Sequence, residues 1–86
     1  MQQETDSSMN ERIKKVMAKC LDTTVEKITE NTIQEDIEGW DSINHIKMIV
    51  AFEREFDITI PDEQVTNMIS FRLIESVIQE CYGKSA

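Results

Sequence analysis

A serine at the start of a helix is placed for chemistry on an anion. In Gly39-Trp40-Asp41-Ser42-Ile43 a long connecting stretch gives way to an apolar-periodic segment, so Ser42 falls in a helical first turn. Backbone N–H groups there lack intrahelical acceptors and carry partial positive charge, which stabilises a phosphate ester on the serine hydroxyl. The plainer role of the same residues is capping, with the side-chain oxygen of Asp41 or Ser42 on a first-turn N–H. His45, the one histidine, follows three residues later and invites a serine–histidine dyad. With no GxSxG elbow and no evident third group, a packed or solvated histidine is expected instead. Cys20 and Cys81 stand far apart without CxxC spacing, which points to buried free thiols in a reducing compartment rather than a disulfide or a zinc knuckle. No Asp-x-Asp-x-Asp/Asn-Gly loop is present, so neither an EF-hand nor another metal site is expected.

The elements that must position Ser42 are helical. Two glycines and one proline in 86 residues leave few turn signals, and Glu, Lys, Ile and Met are frequent. Ile13, Val16, Met17 and Cys20 recur at helical spacing and predict a first helix over 10–21, with Asn10 as its N-cap. From Asp41-Ser42 to Phe56 two apolar rows lie side by side: Ile43, Ile46, Val50 and Ile49, Phe52, Phe56. One row is expected in the core and the other near its rim, and burial of both is nearly as good a reading. Pro61 with Asp62 and Glu63 suits the first turn of a short helix over 62–68. Phe71, Ile74, Val77, Ile78 and Cys81 predict a last helix, capped by Ser70 and stopped near Tyr82-Gly83. The stretch 22–40 is long for a connection; Val25, Ile28, Ile33, Ile37 and Trp40 are expected to pin it, with one turn over 24–28.

Composition excludes several functions. A formal charge of -8 disfavours a nucleic-acid partner and favours basic protein partners. No apolar run reaches the ~18–20 residues of a membrane span, and the polar start lacks the features of an export signal, so a cytoplasmic protein is expected. Residues 22–40 carry -5 and 57–70 carry -3, whereas 11–21 carry +3 and 41–56 only -1. Basic partners are therefore expected at the flanks of Ser42, with mixed charged and apolar contacts on the second helix.

Residues 41–63 closely resemble the acyl carrier protein family. They carry its Asp-Ser-Leu/Ile start in Asp41-Ser42-Ile43 and its continuation in Glu55-Phe56-Asp57-Ile58-Thr59-Ile60-Pro61-Asp62-Glu63. The resemblance extends over residues 10–83 and implies an all-α domain: a small four-helix bundle with a long loop between helices 1 and 2 and a short third helix. Residues 1–9 are then a flexible N-terminal arm, 10–83 the carrier domain and 84–86 a C-terminal tail.

The resemblance implies that the chain is not an enzyme. Ser42 would receive 4'-phosphopantetheine from coenzyme A through a separate Mg²⁺-dependent phosphopantetheinyl transferase, and Asp41 would orient the motif and help hold the transferase's metal. An acyl group would then be held as a thioester and passed between an acyl-loading ligase or acyltransferase and downstream synthase enzymes, by a carrier expected to be a monomer. Ile46, Ile49, Phe52, Ile60, Met68, Ile69 and Ile74 are the candidates for an acyl groove; ordinary core is their other role. Trp40, Ile43, Asn44, Lys47, Val50 and Arg54 are the candidates for partner contact. Asn44, Lys47 and Arg54 stand where many fatty-acid carriers have acidic residues, and Trp40 replaces a small residue frequent there. Both departures point to a specialised pathway, of polyketide, nonribosomal-peptide or related type. An aminoacyl or peptidyl carrier, and an unmodified helical interaction domain, remain the alternatives.

Overall fold

The computed structural model describes the backbone of residues 5–85 and the side chains of residues 9–83. Four helices form a small all-α bundle: α1 (Thr5–Cys20), α2 (Ser42–Phe56), α3 (Asp62–Val65) and α4 (Phe71–Ser85). Among the described residues there is no strand, only an isolated antiparallel bridge between Ile33 and Ser70, closed by Gln34 N–H on Ile69 O and Phe71 N–H on Thr32 O. This bridge ties the long connection to the start of α4.

The core fills from one stripe of each long helix. Ile13, Met17 and Leu21 from the α1 segment meet Met48, Phe52 and Phe56 of α2 and Phe71, Ile74 and Ile78 of α4. Of the two rows on α2, Ile49, Phe52 and Phe56 are buried, whereas Ile43, Ile46 and Val50 stay exposed. The narrow-face reading of that helix therefore holds. In the long connection Ile28, Ile37 and Trp40 are the anchors, and Val25 and Ile33 stand out into solvent. A 3-10 turn over Val25–Lys27 matches the expected single turn, and a second over Gln34–Asp36 is stitched by Ile33 N–H donating to Asp36 Oδ2 at 3.0 Å.

Helix ends depart from expectation in three places. α1 begins at Thr5, so residues 5–9, expected in a flexible arm, are helical; residues 1–4 lie outside the described residues. Asn10 is thus inside α1 rather than capping it, and its amide donates to Glu75 Oε2 on α4 at 3.3 Å. The cause is Met9, which extends the Ile13–Met17 stripe back by one turn and packs against the core. α3 stops at Val65, three residues early, because i→i+3 bonds from Asn67 and Met68 tighten the chain and turn Met68 into the core. α4 runs through Gly83 to Ser85, so Gly83 does not stop it and the expected tail over 84–86 is helical as far as Ser85. Ser70 caps α4 as expected, accepting Leu73 N–H on Oγ at 3.2 Å.

Candidate functional site

Ser42 is the first residue of α2, and its side chain is exposed. Asp41, in extended conformation, is the N-cap: its Oδ1 accepts Asn44 N–H at 2.8 Å, while its carbonyl accepts His45 N–H. Asn44 Nδ2 reaches back to Gly39 O at 2.8 Å, so the turn into the helix is braced on both sides. Capping thus falls to Asp41 and leaves the Ser42 hydroxyl unused: among the described residues it has no hydrogen-bond partner. An exposed, uncommitted hydroxyl at a helix N-terminus is what a phosphodiester needs.

Two residues behind this turn form a buried polar pair. Trp40, expected both to pin the loop and to meet partners, does the first: it is 3% exposed, and its indole Nε1–H donates to His45 Nδ1 at 2.9 Å. An indole N–H only donates, so Nδ1 accepts, and the neutral ring donates its Nε2–H to Val65 O at 2.8 Å. Both imidazole nitrogens are therefore committed, and none is left to serve Ser42 as a base. The correction for Trp40 has a local cause: Gly39 lies so close to Leu21 that a Cβ there would meet Leu21 O at 2.0 Å. The chain consequently turns inward at residues 39–40 and carries the indole into the core.

One helical turn past Ser42 begins an open cleft of about 380 Å³ between α2, the 58–60 segment and α3. Buried Ile49 and Ile60 line it together with exposed Ile46 and Val50; Glu53, Asp62, Val65 and Thr66 complete it. Glu53 also fixes its far wall, accepting Ile60 N–H on Oε2 at 2.8 Å. Of the groove candidates, Ile46, Ile49 and Ile60 come together here. Phe52, Met68 and Ile74 are fully buried core, and Ile69, 48% exposed, belongs to a separate cavity with Ile33 and Leu73. Glu53, Asp62, Val65 and Thr66 were not anticipated; the signal for Glu53 is its place on the face of Ile46 and Ile49, at i+7 and i+4. Of the partner-contact candidates, Ile43, Lys47, Val50 and Arg54 are exposed on α2, and Asn44 is half-buried by its bond to Gly39.

Residues 11–75 match the family model for the phosphopantetheine attachment site. The chain is 36% identical over 77 residues to an acyl carrier protein of Phenylobacterium zucineum (strain HLK1), covering 90% of this chain and 98% of that one. The chain belongs to the acyl carrier protein family. Two further acyl carrier proteins agree: one of Caulobacter vibrioides (strain NA1000 / CB15N), 42% identical over 57 residues (66% of this chain, 73% of that one), and one of Buchnera aphidicola subsp. Baizongia pistaciae (strain Bp), 36% identical over 74 residues (85% and 94%).

As an acyl carrier protein the chain is a carrier and not an enzyme, and its cofactor is phosphopantetheine. That group supplies a thiol on which acyl groups travel as thioesters. Among the described residues, no group of three His, Cys, Asp or Glu side chains is arranged to hold a metal, and no helix is long and apolar enough to cross a membrane. Cys20 and Cys81 are half-buried and not in a disulfide. Burial pushes the Cys20 thiol above its ordinary value, partly offset by the nearby Lys19 and Lys47 charges.

Proposed function

We propose that Ser42 is the residue that carries 4'-phosphopantetheine and that this carrier serves a specialised acyl pathway. The observation behind the attachment is the division of labour at the start of α2. Asp41 caps the helix, and the neighbouring Ser42 hydroxyl is exposed and free to act as a nucleophile. In the transferase the Ser42 oxygen forms the new bond to phosphorus, the pyrophosphate link of coenzyme A breaks, and adenosine 3',5'-bisphosphate leaves. The hydroxyl proton goes to a base of the transferase, because His45 has no free nitrogen. Asp41 keeps its second carboxylate oxygen for the motif and for the transferase's metal.

The cleft that starts at Ile46 shares a helix face with Ser42 at i, i+4, which supports its use as shelter for the acyl chain, on a floor of Ile49 and Ile60. Ile43 and Val50, with Lys47 and Arg54, form the proposed contact for a loading ligase or acyltransferase and for downstream synthase enzymes. Their mixed character supports a pathway outside bulk fatty-acid synthesis. Exposed Glu35 and Glu38 before Ser42 supply the acidic flank for basic partners; Asp36 also holds the 3-10 turn, so it is the poorer probe of charge. The reading includes a monomer acting in the cytoplasm.

Intact mass after incubation with coenzyme A, Mg²⁺ and a broad-specificity phosphopantetheinyl transferase tests the attachment. The wild-type chain gains one arm and Ser42→Ala gains none; no gain with several transferases would make the chain an unmodified interaction domain. Loading of the holo form with acyl or aminoacyl adenylates then reads the cargo class.

A further inference from the structure

Among the described residues the acidic chain holds a basic furrow. Lys15, Val16, Lys19 and Cys20 of α1 face Ala51, Arg54 and Glu55 of α2 across a cleft of about 390 Å³. Lys15 and Lys19 sit one helical turn apart on one wall and Arg54 stands on the other; exposed Lys47, seven residues before Arg54 on the same face of α2, lies beyond the residues that line the cleft. Lys47 is close enough to act on the Cys20 thiol together with Lys19. The one acid in the furrow is already used: Arg12 Nε donates to Glu55 Oε2 at 2.8 Å, Arg12 Nη2 donates to Glu55 O, and the same guanidinium lies 4.5 Å from the Phe56 ring centre. Among the described residues none of Lys15, Lys19, Lys47 and Arg54 is in an ion pair, although 17 acids are present to neutralise 9 cations. The result is two cationic rails over an apolar floor of Val16, Ala51 and Cys20.

We infer that this furrow docks a short acidic, amphipathic segment of a partner protein, with its carboxylates on the rails and its apolar side chains on the floor. The inference rests on the carrier reading and names a contact separate from the attachment site. The charge distribution selects a local segment over a broad polyanion. A membrane surface or a nucleic acid is repelled by the net charge of -8 that surrounds this small basic patch, whereas a short segment meets the patch alone. Arg54 lies twelve residues along α2 from Ser42, about 18 Å by helical rise, so a short segment held between Lys15, Lys19 and Arg54 lies away from Ser42.

The test uses the full ¹⁵N-labelled chain and an acetylated twelve-residue peptide of Asp, Glu and Leu. Binding is expected to move the amide signals of Lys15, Lys19, Ala51 and Arg54, to weaken with added salt, and to fall at least ten-fold in Lys15→Glu/Lys19→Glu. Where that variant fails to fold by circular dichroism, Lys15→Gln/Lys19→Gln serves in its place. Absence of binding, shifts spread over residues 57–70, an unchanged affinity in the variant, or equal binding of phosphatidylglycerol vesicles or a DNA duplex would overturn the inference. The two readings separate cleanly: Ser42→Ala still binds the peptide, and Lys15→Glu/Lys19→Glu still gains the arm from coenzyme A.

Discussion

His45→Phe isolates the contribution of the buried polar pair behind Ser42. Phenylalanine keeps a flat ring beside Trp40, where the present rings are nearly parallel at 17° and 6.3 Å between centres. Both hydrogen bonds of the imidazole are lost. The Trp40 indole N–H is then stranded in a residue that is 3% exposed, which costs about 1–3 kcal/mol. Val65 O loses one partner but keeps Met68 N–H at 3.3 Å, so its share is smaller, about 0.5–1 kcal/mol. The expected loss is about 1.5–4 kcal/mol out of a total of roughly 4–13 kcal/mol for a chain of this length. That corresponds to a fall of roughly 6–30 °C in Tm. Trp40 is the only tryptophan, so urea unfolding followed by its fluorescence, and in Trp40→Phe by circular dichroism, reads both sides of the pair.

The double variant decides between a polar and a purely steric role. Trp40→Phe/His45→Phe removes donor and acceptor together and should cost at least about 1 kcal/mol less than the sum of the single changes. Additivity within about 0.5 kcal/mol, or a His45→Phe cost below that figure, would refute the reasoning. Because Val65 closes α3, faster hydrogen exchange at Asn67 and Met68 in His45→Phe is the accompanying local sign.

Three further outcomes follow from single contacts. Gly39→Ala forces a Cβ against the Leu21 carbonyl, which is backbone and cannot swing aside, so urea unfolding should show a loss of about 3 kcal/mol or more; Gly83→Ala, in helix and with open space around it, should gain a few tenths up to about 1 kcal/mol. Asp41→Ala removes the cap on Asn44 N–H and should cost about 1 kcal/mol, while Asp41→Asn retains most of it; equal losses by thermal melting would exclude capping as the source. In a Cys81→Ser background, iodoacetamide at pH 8 should modify Cys20 more slowly in the folded chain than in urea, since burial favours the neutral thiol. The linked stability is fully present below the unfolded thiol pKa of about 8.5 and is lost as pH rises through the higher folded value; a Cys20→Ser chain lacks this alkaline decline.

What could be read in the sequence lies mostly within single helices, though not at every helix end: Asn10 and Gly83 have the residue types of a cap and a stop, yet α1 begins earlier and α4 runs on. The two rows of α2 follow from spacing alone, as do the cap on Ser70 and the start of α2 at Asp41-Ser42, because each depends on residues within one or two turns. Much of what could not be read depends on distant partners. Trp40 reads as a loop anchor, but nothing in the sequence shows that its indole bonds His45, and His45 has no visible purpose until Val65, twenty residues on, offers its carbonyl. The acyl-groove candidates mixed two populations for the same reason: periodicity shows which residues share a face, but only α3 and α4 determine that Ile46 lines an open cleft while Ile74 is sealed inside. This division bears on function. Ile43, Ile46 and Val50 form an exposed apolar row beginning next to Ser42, at 70%, 55% and 43% exposure. Leaving such surface in water forgoes roughly 25 cal/mol for every Å² that could have been buried. The fold therefore keeps its most exposed apolar row beside the hydroxyl that carries the cofactor in the proposed function, where a thioester-linked chain or a docking enzyme would cover it.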